Sequence, residues 1–384
     1  MNVLFISHYS GIGGANLSML YLIINLRKKH GIIPFVLLPK HGPFEQKLIE
    51  ENIDYLVFTY ASWRGPRDNK IVRFNLSYIM FGLNVFQAIR LTPRFKKMKI
   101  DLIHSNSSLA VFGYFLKFFL CKPLIWHLRE FGEHDYHLTY ILGKNISGKI
   151  YNKSDYLIAI SKSIKRYYEN IIPNIDKIIL IYNGVKPFEV VHKEKNDKKI
   201  NICIVGGISE NKNQIESINA ISVLINTYGI KNISLYIIGS GDHIYVHNLV
   251  EFVKRIELEN IVFFLGERND IRELLSIMDI AIINSKNEAF GRVIIEYMFA
   301  KLPVVASNKG ACVELINDNV TGLLYELGNV NSLANKLNIL INDNSLRKRI
   351  GENGNKEAIT RFSDEKNASL IFNIYKKLNE NKDS

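Results

Sequence analysis

Short β-branched and aliphatic runs alternate with longer amphipathic stretches along almost the whole chain, and no other feature restricts its fold so tightly. Val3–Ser7, Phe35–Leu38, Tyr55–Phe58, Leu102–His104, Leu124–His127, Tyr156–Ile160 and Ile178–Ile181 read as buried strands, each short, apolar and bounded by turn residues. Between them, stretches such as Asn16–Lys29 and Lys162–Asn170 carry apolar residues at helical spacing. A parallel strand pair needs a crossover, and the crossover helix comes to rest on a face of the sheet. The alternation therefore predicts parallel sheet covered by helices on both faces.

The rhythm stops over residues 186–199, which are polar and charged, and resumes at Ile200–Val205, Leu235–Ile238, Val262–Leu265, Ile280–Ile283 and Val304–Ala306. From Asn329 onward the pattern is helical. The expected fold class is α/β: two Rossmann-like parallel-sheet domains facing across a cleft, with C-terminal helices. The expected boundaries are a first domain over residues 1–185, a linker over 186–199, a second domain over 200–362, and a last helix over 363–384 packing back toward the first domain.

The 384 residues are 47% hydrophobic and 22% charged, the balance of a globular protein, which excludes disordered and collagen-like readings. The net charge of +12 is one-sided: residues 1–185 hold 24 Lys/Arg against 12 Asp/Glu, and residues 186–384 hold 25 against 25. A basic first half suits phosphorylated ligands or an anionic membrane surface. Nucleic acid is not expected, because no recognition-helix or RNA-binding motif accompanies the charge. Cys121, Cys203 and Cys312 lie far apart and form neither a metal-ligand spacing nor a disulfide framework, which fits a reducing compartment. Met1–Ile6 reads as a first strand rather than a signal peptide. Leu109–Cys121, the longest apolar stretch, is interrupted by Lys117 and falls short of the roughly 20 residues of a membrane span. The expected station is cytoplasmic, with the inner face of the plasma membrane as a place of contact.

The segment Asn69–Lys99 breaks the rhythm. It mixes Phe74, Tyr78, Ile79, Met80, Phe81, Val85 and Phe86 with Arg73, Arg90, Arg94, Lys96, Lys97 and Lys99. Such a segment lies on an anionic bilayer or, alternatively, folds as a pair of helices packed on the first domain with a solvated basic end.

Three loops can carry chemistry. Ser10-Gly11-Ile12-Gly13-Gly14-Ala15-Asn16 follows a strand and opens a helix, so its amides can face an anion. It is not a dinucleotide fingerprint, since Asn16 stands where the last glycine is needed and the next strand ends in Pro39-Lys40. Gly206-Gly207 follows the first strand of the second domain, with Lys212 expected to open the next helix and to neutralise phosphate. The third runs from Asn284 through Glu288, Ala289, Phe290, Gly291 and Arg292 to Glu296. It places a carboxylate and helix-start amides at the end of a parallel strand, where open α/β sheets hold ligands. Taken singly, each loop is equally well a tight turn, and the two glutamates equally well surface charges.

Together they are specific. Glu288 and Glu296 form E-x7-E within S-x-x-E-x-F-G-x-x-x-x-E-x-M-x-A-x-x-P-V-V-A-S, and Gly13-Gly14-Ala15, Asp155 with Ser161, Asn183-Gly184-Val185, Gly266 with Asp279, and Thr321-Gly322-Leu323-Leu324 accompany it. This array resembles the retaining glycosyltransferases of family 4, of the GT-B fold, over nearly the whole chain. The resemblance implies that the second domain binds a nucleotide-diphosphate sugar. Glu296 would hold the ribose, and Glu288 the sugar hydroxyls. The amides around Ala289, Phe290, Gly291 and Arg292 would meet sugar or diphosphate. Lys212 would neutralise the leaving diphosphate beside Gly206 and Gly207, Glu267 and Arg268 would sit against the base, and Gly13 and Gly14 would approach from the first domain. His127 matches a histidine near the reacting centre, although it reads equally as a packed strand-end residue. Arg129 and Glu130 would shape the acceptor side.

One departure stands out: the family usually carries Arg where this chain has Gly207, and Arg292 is the residue expected to compensate. No Asp-x-Asp occurs, so no obligatory metal is expected, and a UDP-sugar is the expected donor. The expected reaction is retaining transfer to a glycan or lipid-linked acceptor of the bacterial cell surface. A front-face route, with the departing phosphate taking the acceptor proton, fits the absence of an identifiable nucleophile. A nucleotide-sugar epimerase or hydrolase, and a non-enzymatic two-domain sugar-binding protein, are the rivals.

Overall fold

The computed structural model describes the chain except residues 63, 67–69, 133–137, 141, 192–198 and 381–384, and except the side chains of residues 64–66, 70–78 and 138. Its strands are β1 (Asn2–Ile6), β2 (Ile33–Leu38), β3 (Asp54–Val57), β4 (Arg64–Pro66), β5 (Leu102–Ser105), β6 (Leu124–Leu128), β7 (Leu138–Tyr140), β8 (Tyr156–Ala159), β9 (Ile178–Leu180), β10 (Ile200–Val205), β11 (Ile233–Ile238), β12 (Val262–Gly266), β13 (Ile280–Ile283), β14 (Val304–Ser307) and β15 (Leu323–Tyr325). The chain divides into two compact units. The first joins Met1–Lys186 with Asp364–Ser384, and the second is Pro187–Ser363.

The sheet of the first unit runs β3-β2-β1-β5-β6-β8-β9, with every neighbouring pair parallel. That of the second runs β12-β11-β10-β13-β14-β15, again all parallel. A small antiparallel pair, β4 with β7, stands apart. Val3–Ile6 and Ile280–Ile283 are buried at every position, because helices cover both faces and neither face can be polar. Each sheet reverses its order of strand addition once, at β1/β5 and at β10/β13. The loops leaving the carboxyl ends on either side of such a reversal diverge and leave a crevice for a ligand.

The helix Asp364–Glu380 completes the first unit. Its Ala368, Ile371, Ile374 and Tyr375 join Val3, Phe5, Met19 and Ile23 in one apolar core. Buried Asp364 accepts from the Asn25 side-chain amide at 2.9 Å, and Asn367 donates to the Tyr182 carbonyl at 2.6 Å. In the second unit, Ile202, Ile204, Leu235, Ile237, Ile280 and Ile282 of the sheet pack with Ile218, Ile221, Leu333 and Leu337 of the covering helices.

Two local expectations are corrected. Where two helices were expected between Asn69 and Lys99, one helix spans Lys70–Lys97, with Pro93 inside it. Proline forfeits one backbone bond, but Asn84, Ala88, Leu91 and Phe95 bury a continuous face and carry the helix through. Asn84 also exchanges two hydrogen bonds with the Ala61 backbone, at 2.9 and 3.1 Å. Asn69 and the side chains of Arg73, Phe74 and Tyr78 lie outside the described residues, as does half of the expected linker, residues 192–198. Thr321-Gly322-Leu323-Leu324 leads into a strand, β15, too short to show a period. Lys212 precedes its helix, which opens at Gln214.

Candidate active site

In the second unit, the loops that flank the β10/β13 reversal are stitched together. Asn211 accepts at its carbonyl from the Lys286 amide (2.8 Å) and at its side chain from the Asn287 amide (3.2 Å), and its side-chain amide donates to the Asn287 carbonyl (3.1 Å). Buried Gln214 braces the first loop by donating to the Gly207 carbonyl at 3.0 Å. This fixes Lys212 against Glu288: Nζ lies 2.7 Å from Oε2, which also accepts from the Ser285 hydroxyl at 2.9 Å. The ammonium is about one-third exposed, the carboxylate much less. Nearby, burial and the Glu288 charge push the Cys312 thiol up to about 12.

Close backbone approach sets the position of Glu288. Gly310 has φ +57°, and a Cβ there would lie 2.6 Å from the Glu288 amide nitrogen and 2.8 Å from its carbonyl oxygen. The next amide, of Ala311, donates to that carbonyl at 2.9 Å. Gly291, at φ +85°, then opens the helix Arg292–Phe299. Within that helix Arg292 Nε donates to Glu296 Oε1 at 2.9 Å. Each glutamate of the E-x7-E pair thus carries its own cation. The Arg292 guanidinium rests on Glu296. Gly207 itself has room: a Cβ would meet only the Ser240 carbonyl, at 3.9 Å. Phe290 is buried, its ring edge-on to Phe362. Glu267 and Arg268 follow the edge strand β12, where Arg268 pairs with Asp270 at 2.5 Å.

The first unit gathers a second group at its own reversal. The glycine loop after β1 is held by Asn16, the residue that breaks the dinucleotide fingerprint: its amide donates to the carbonyls of Tyr9 (3.1 Å) and Gly11 (2.9 Å), and its oxygen accepts from Ser7 (2.7 Å). Gly13 caps the helix Gly14–His30 and packs against the Tyr9 hydroxyl, leaving no space for a side chain. Asn106, after β5, donates to the Ala15 carbonyl at 3.1 Å and accepts from Arg129 Nε at 2.8 Å, tying the loop to the group after β6.

That group is buried. Arg129 donates to Asn183 Oδ1 at 2.5 Å and approaches His127 Nδ1 at 3.2 Å. Glu130 accepts from the hydroxyls of Ser107 (2.6 Å) and Ser108 (2.5 Å). The expected acceptor-side pair is therefore enclosed, each 5–6% exposed, and braces the site from inside. His127 Nδ1 also meets His104 Nε2 at 3.2 Å, and His104 Nδ1 meets the Tyr375 hydroxyl at 2.6 Å. Among the described residues His127 Nε2 has no partner. Burial first, then the Arg129 charge, lowers both imidazoles, His104 to about 3 and His127 well below its ordinary value, so both rings are neutral at pH 7.

Residues 185–357 match the family Glycosyl transferases group 1, and residues 12–187 match Glycosyltransferase Family 4. An uncharacterized glycosyltransferase of Methanocaldococcus jannaschii is 32% identical over 291 residues, covering 73% of this chain and 76% of the relative. The chain is a group 1 glycosyltransferase. The O-antigen biosynthesis glycosyltransferase WclY of Escherichia coli is 25% identical to it over 73% of this chain and 80% of WclY. The crystal structure of Anabaena HepE in complex with UDP superposes with a TM-score of 0.81 at 24% identity, covering 98% of this chain and all of HepE. The fold of this glycosyltransferase is GT-B.

Ser285, Asn106, Asn183, His104 and Tyr375 escaped the reading of the glycosyltransferase sequence as site residues. Ser285 and Asn183 stand inside quoted motifs, and their neighbours gave a signal. His104 and Tyr375 carry none, since their contact spans 271 residues of chain. Among the described residues no helix is long and apolar enough to cross a membrane.

Proposed function

We propose that this glycosyltransferase moves a sugar from UDP-sugar to a hydroxyl of a bacterial cell-surface glycan precursor, with retention and without a metal. The Lys212–Glu288 pair at the strand-order reversal of the second unit carries the reading. It joins a cation for diphosphate to a carboxylate for sugar hydroxyls at a place where α/β sheets bind nucleotides. HepE, of the same fold, is solved with UDP and with UDP-glucose, and WclY acts in O-antigen biosynthesis.

In the reaction the bond from the anomeric carbon to the diphosphate oxygen breaks, and the bond to the acceptor oxygen forms. The acceptor proton passes to the departing phosphate, whose charge Lys212 shares once the diphosphate draws its ammonium from Glu288. Glu296 binds the ribose, and the loop with Glu267 and Arg268 lies against the base. His127 offers the N–H at its Nε2, which meets no partner among the described residues, to a substrate oxygen. A buried donor left unpaired costs about 1–3 kcal/mol, a cost recovered when a ligand supplies the acceptor.

The protein works at the inner face of the plasma membrane. On the helix Lys70–Lys97, exposed Ile79, Leu83, Phe86 and Ile89 are followed by exposed Arg90, Arg94, Lys96 and Lys97, much of it along one stripe. No acidic residue occurs between Asp68 and Asp101. Apolar side chains with cations and no anions suit an anionic bilayer. Co-flotation with phosphatidylglycerol vesicles but not with phosphatidylcholine vesicles is expected, and equal behaviour with both would remove this part.

The deciding experiment is thermal stabilisation by nucleoside diphosphates and their sugars, in wild type and Glu296→Ala. A ligand of the native state adds about 2.7 kcal/mol at a hundredfold excess over Kd. A uridine-selective shift lost in Glu296→Ala is expected, and no shift with any nucleotide would overturn the donor site. Donor consumption without acceptor would favour the epimerase or hydrolase.

A further inference from the structure

We infer that Tyr375, in the last helix of the chain, is a positioning residue that sets the tautomer of His104 and thereby supports the His127 tautomer that Arg129 selects. The inference rests on the reading of His127 as a donor to substrate.

The direction of each hydrogen bond follows from what its groups can do. A guanidinium only donates. Arg129 Nη2 lies 3.2 Å from His127 Nδ1, so that nitrogen is the acceptor and a neutral His127 holds its hydrogen on Nε2. His104 Nε2 faces the same Nδ1 at 3.2 Å. Two bare nitrogens would repel, so His104 donates from Nε2 and its Nδ1 is bare. That Nδ1 lies 2.6 Å from the Tyr375 hydroxyl, which therefore donates to it. Tyr375, His104 and His127 form a one-way relay, with fully buried rings at each step. It ends at the His127 N–H that meets no partner among the described residues.

Removing the Tyr375 hydroxyl frees His104 to take its hydrogen on Nδ1, which turns a bare Nε2 toward His127. His127 Nδ1 then faces a bare nitrogen while still accepting from Arg129, so its ring is held less firmly, although the aromatic packing stays. A residue far from the chemistry in sequence thus helps to hold the N–H that the site presents to a sugar oxygen.

The test is side-chain 15N NMR of the histidines in the full chain at pH 7, assigned with His104→Gln and His127→Gln. Wild type is expected to show both imidazoles protonated on Nε2 alone. Tyr375→Phe is expected to move His104 toward Nδ1 protonation and to disturb His127. Nδ1 protonation of His127 in wild type overturns the relay, as does a Tyr375→Phe spectrum unchanged at both rings. Should Tyr375→Phe fail to fold, the His104 signal of wild type still decides, since a hydrogen on its Nδ1 would make Tyr375 the acceptor and overturn the relay.

Binding gives the functional arm, with UDP-glucose and UDP as probes. Tyr375→Phe is expected to weaken UDP-glucose about tenfold and to leave UDP within about twofold. Equal weakening of both would mark Tyr375 as merely structural. If neither probe binds wild type, the donor reading of His127 fails, while the spectra still judge the relay.

Discussion

Gly310 gives a sharp test of how the Glu288 loop is built. Replacing it with alanine adds one methyl group where φ is +57° and where that carbon would lie 2.6 and 2.8 Å from the Glu288 backbone nitrogen and oxygen. Neither atom can swing aside as a side-chain tip could, so the Glu288 loop must move by most of an ångström. The left-handed conformation costs alanine about 1 kcal/mol relative to glycine. Relieving the overlap costs about 1–3 kcal/mol, and the loss of the Ala311-to-Glu288 bond about 1 kcal/mol more. The total is about 3–5 kcal/mol, or on the order of 10 °C for the transition of a unit of this size. Calorimetry reads the shift, and Gly207→Ala is the control. At position 207 φ is ordinary and the added carbon meets only the Ser240 carbonyl, at 3.9 Å, so its transition is expected to stay in place or rise slightly. Gly310→Ala should also lose any stabilisation by UDP-glucose, because Lys212 and Glu288 no longer meet. An unchanged transition in Gly310→Ala would refute the claim that this glycine positions the carboxylate.

Other outcomes follow from the same geometry. Gly207→Arg should fold normally and tighten UDP about two- to fivefold at low salt, with the gain fading as salt screens it; titration calorimetry at two ionic strengths checks this. Stability should fall in acid. His104 and His127 are held below their unfolded value near 6.5, so the unfolded chain binds more protons once the pH drops below it. Each contributes a slope of about 1.4 kcal/mol per pH unit from pH 6.5 down toward its folded pKa, which is about 3 for His104, and nothing above pH 7.5. In His104→Gln the denaturation midpoint between pH 4.5 and 6.5 should depend less steeply on pH than in wild type. Transfer activity should survive EDTA, and its abolition would end the metal-independent reading.

The two sheets and the Glu288 loop were legible because parallel strands buried on both faces leave uninterrupted apolar runs, and because the loop packs its polar residues into one short segment. Lys212 and Glu288 were each visible alone, but their pairing was not. It depends on Asn211 stitching two loops 76 residues apart. The Arg292–Glu296 pair was likewise overlooked, although its i, i+4 spacing within one helix stands in the sequence. The burial of Arg129 and Glu130 could not be foreseen. Charged residues are seldom enclosed, and these are enclosed only because Asn106, Asn183, Ser107 and Ser108 supply partners from distant loops. The single long helix at Lys70–Lys97 escaped for a related reason: a proline argues locally for a break, and the buried face that overrides it is tertiary.

The first unit is discontinuous in sequence, and this sets an order of events at the ribosome. Its core takes Ala368, Ile371, Ile374 and Tyr375 from the last helix, and these residues are translated only after the whole of Pro187–Ser363. The second unit has all of its chain in hand first and condenses as a continuous piece. Until the final helix arrives, the nascent first unit carries an uncovered apolar groove over Val3, Phe5, Met19 and Ile23, the condition under which partly folded chains stick to one another. Synthesis that stops early therefore leaves the chain of the second unit complete and the core of the first unit open.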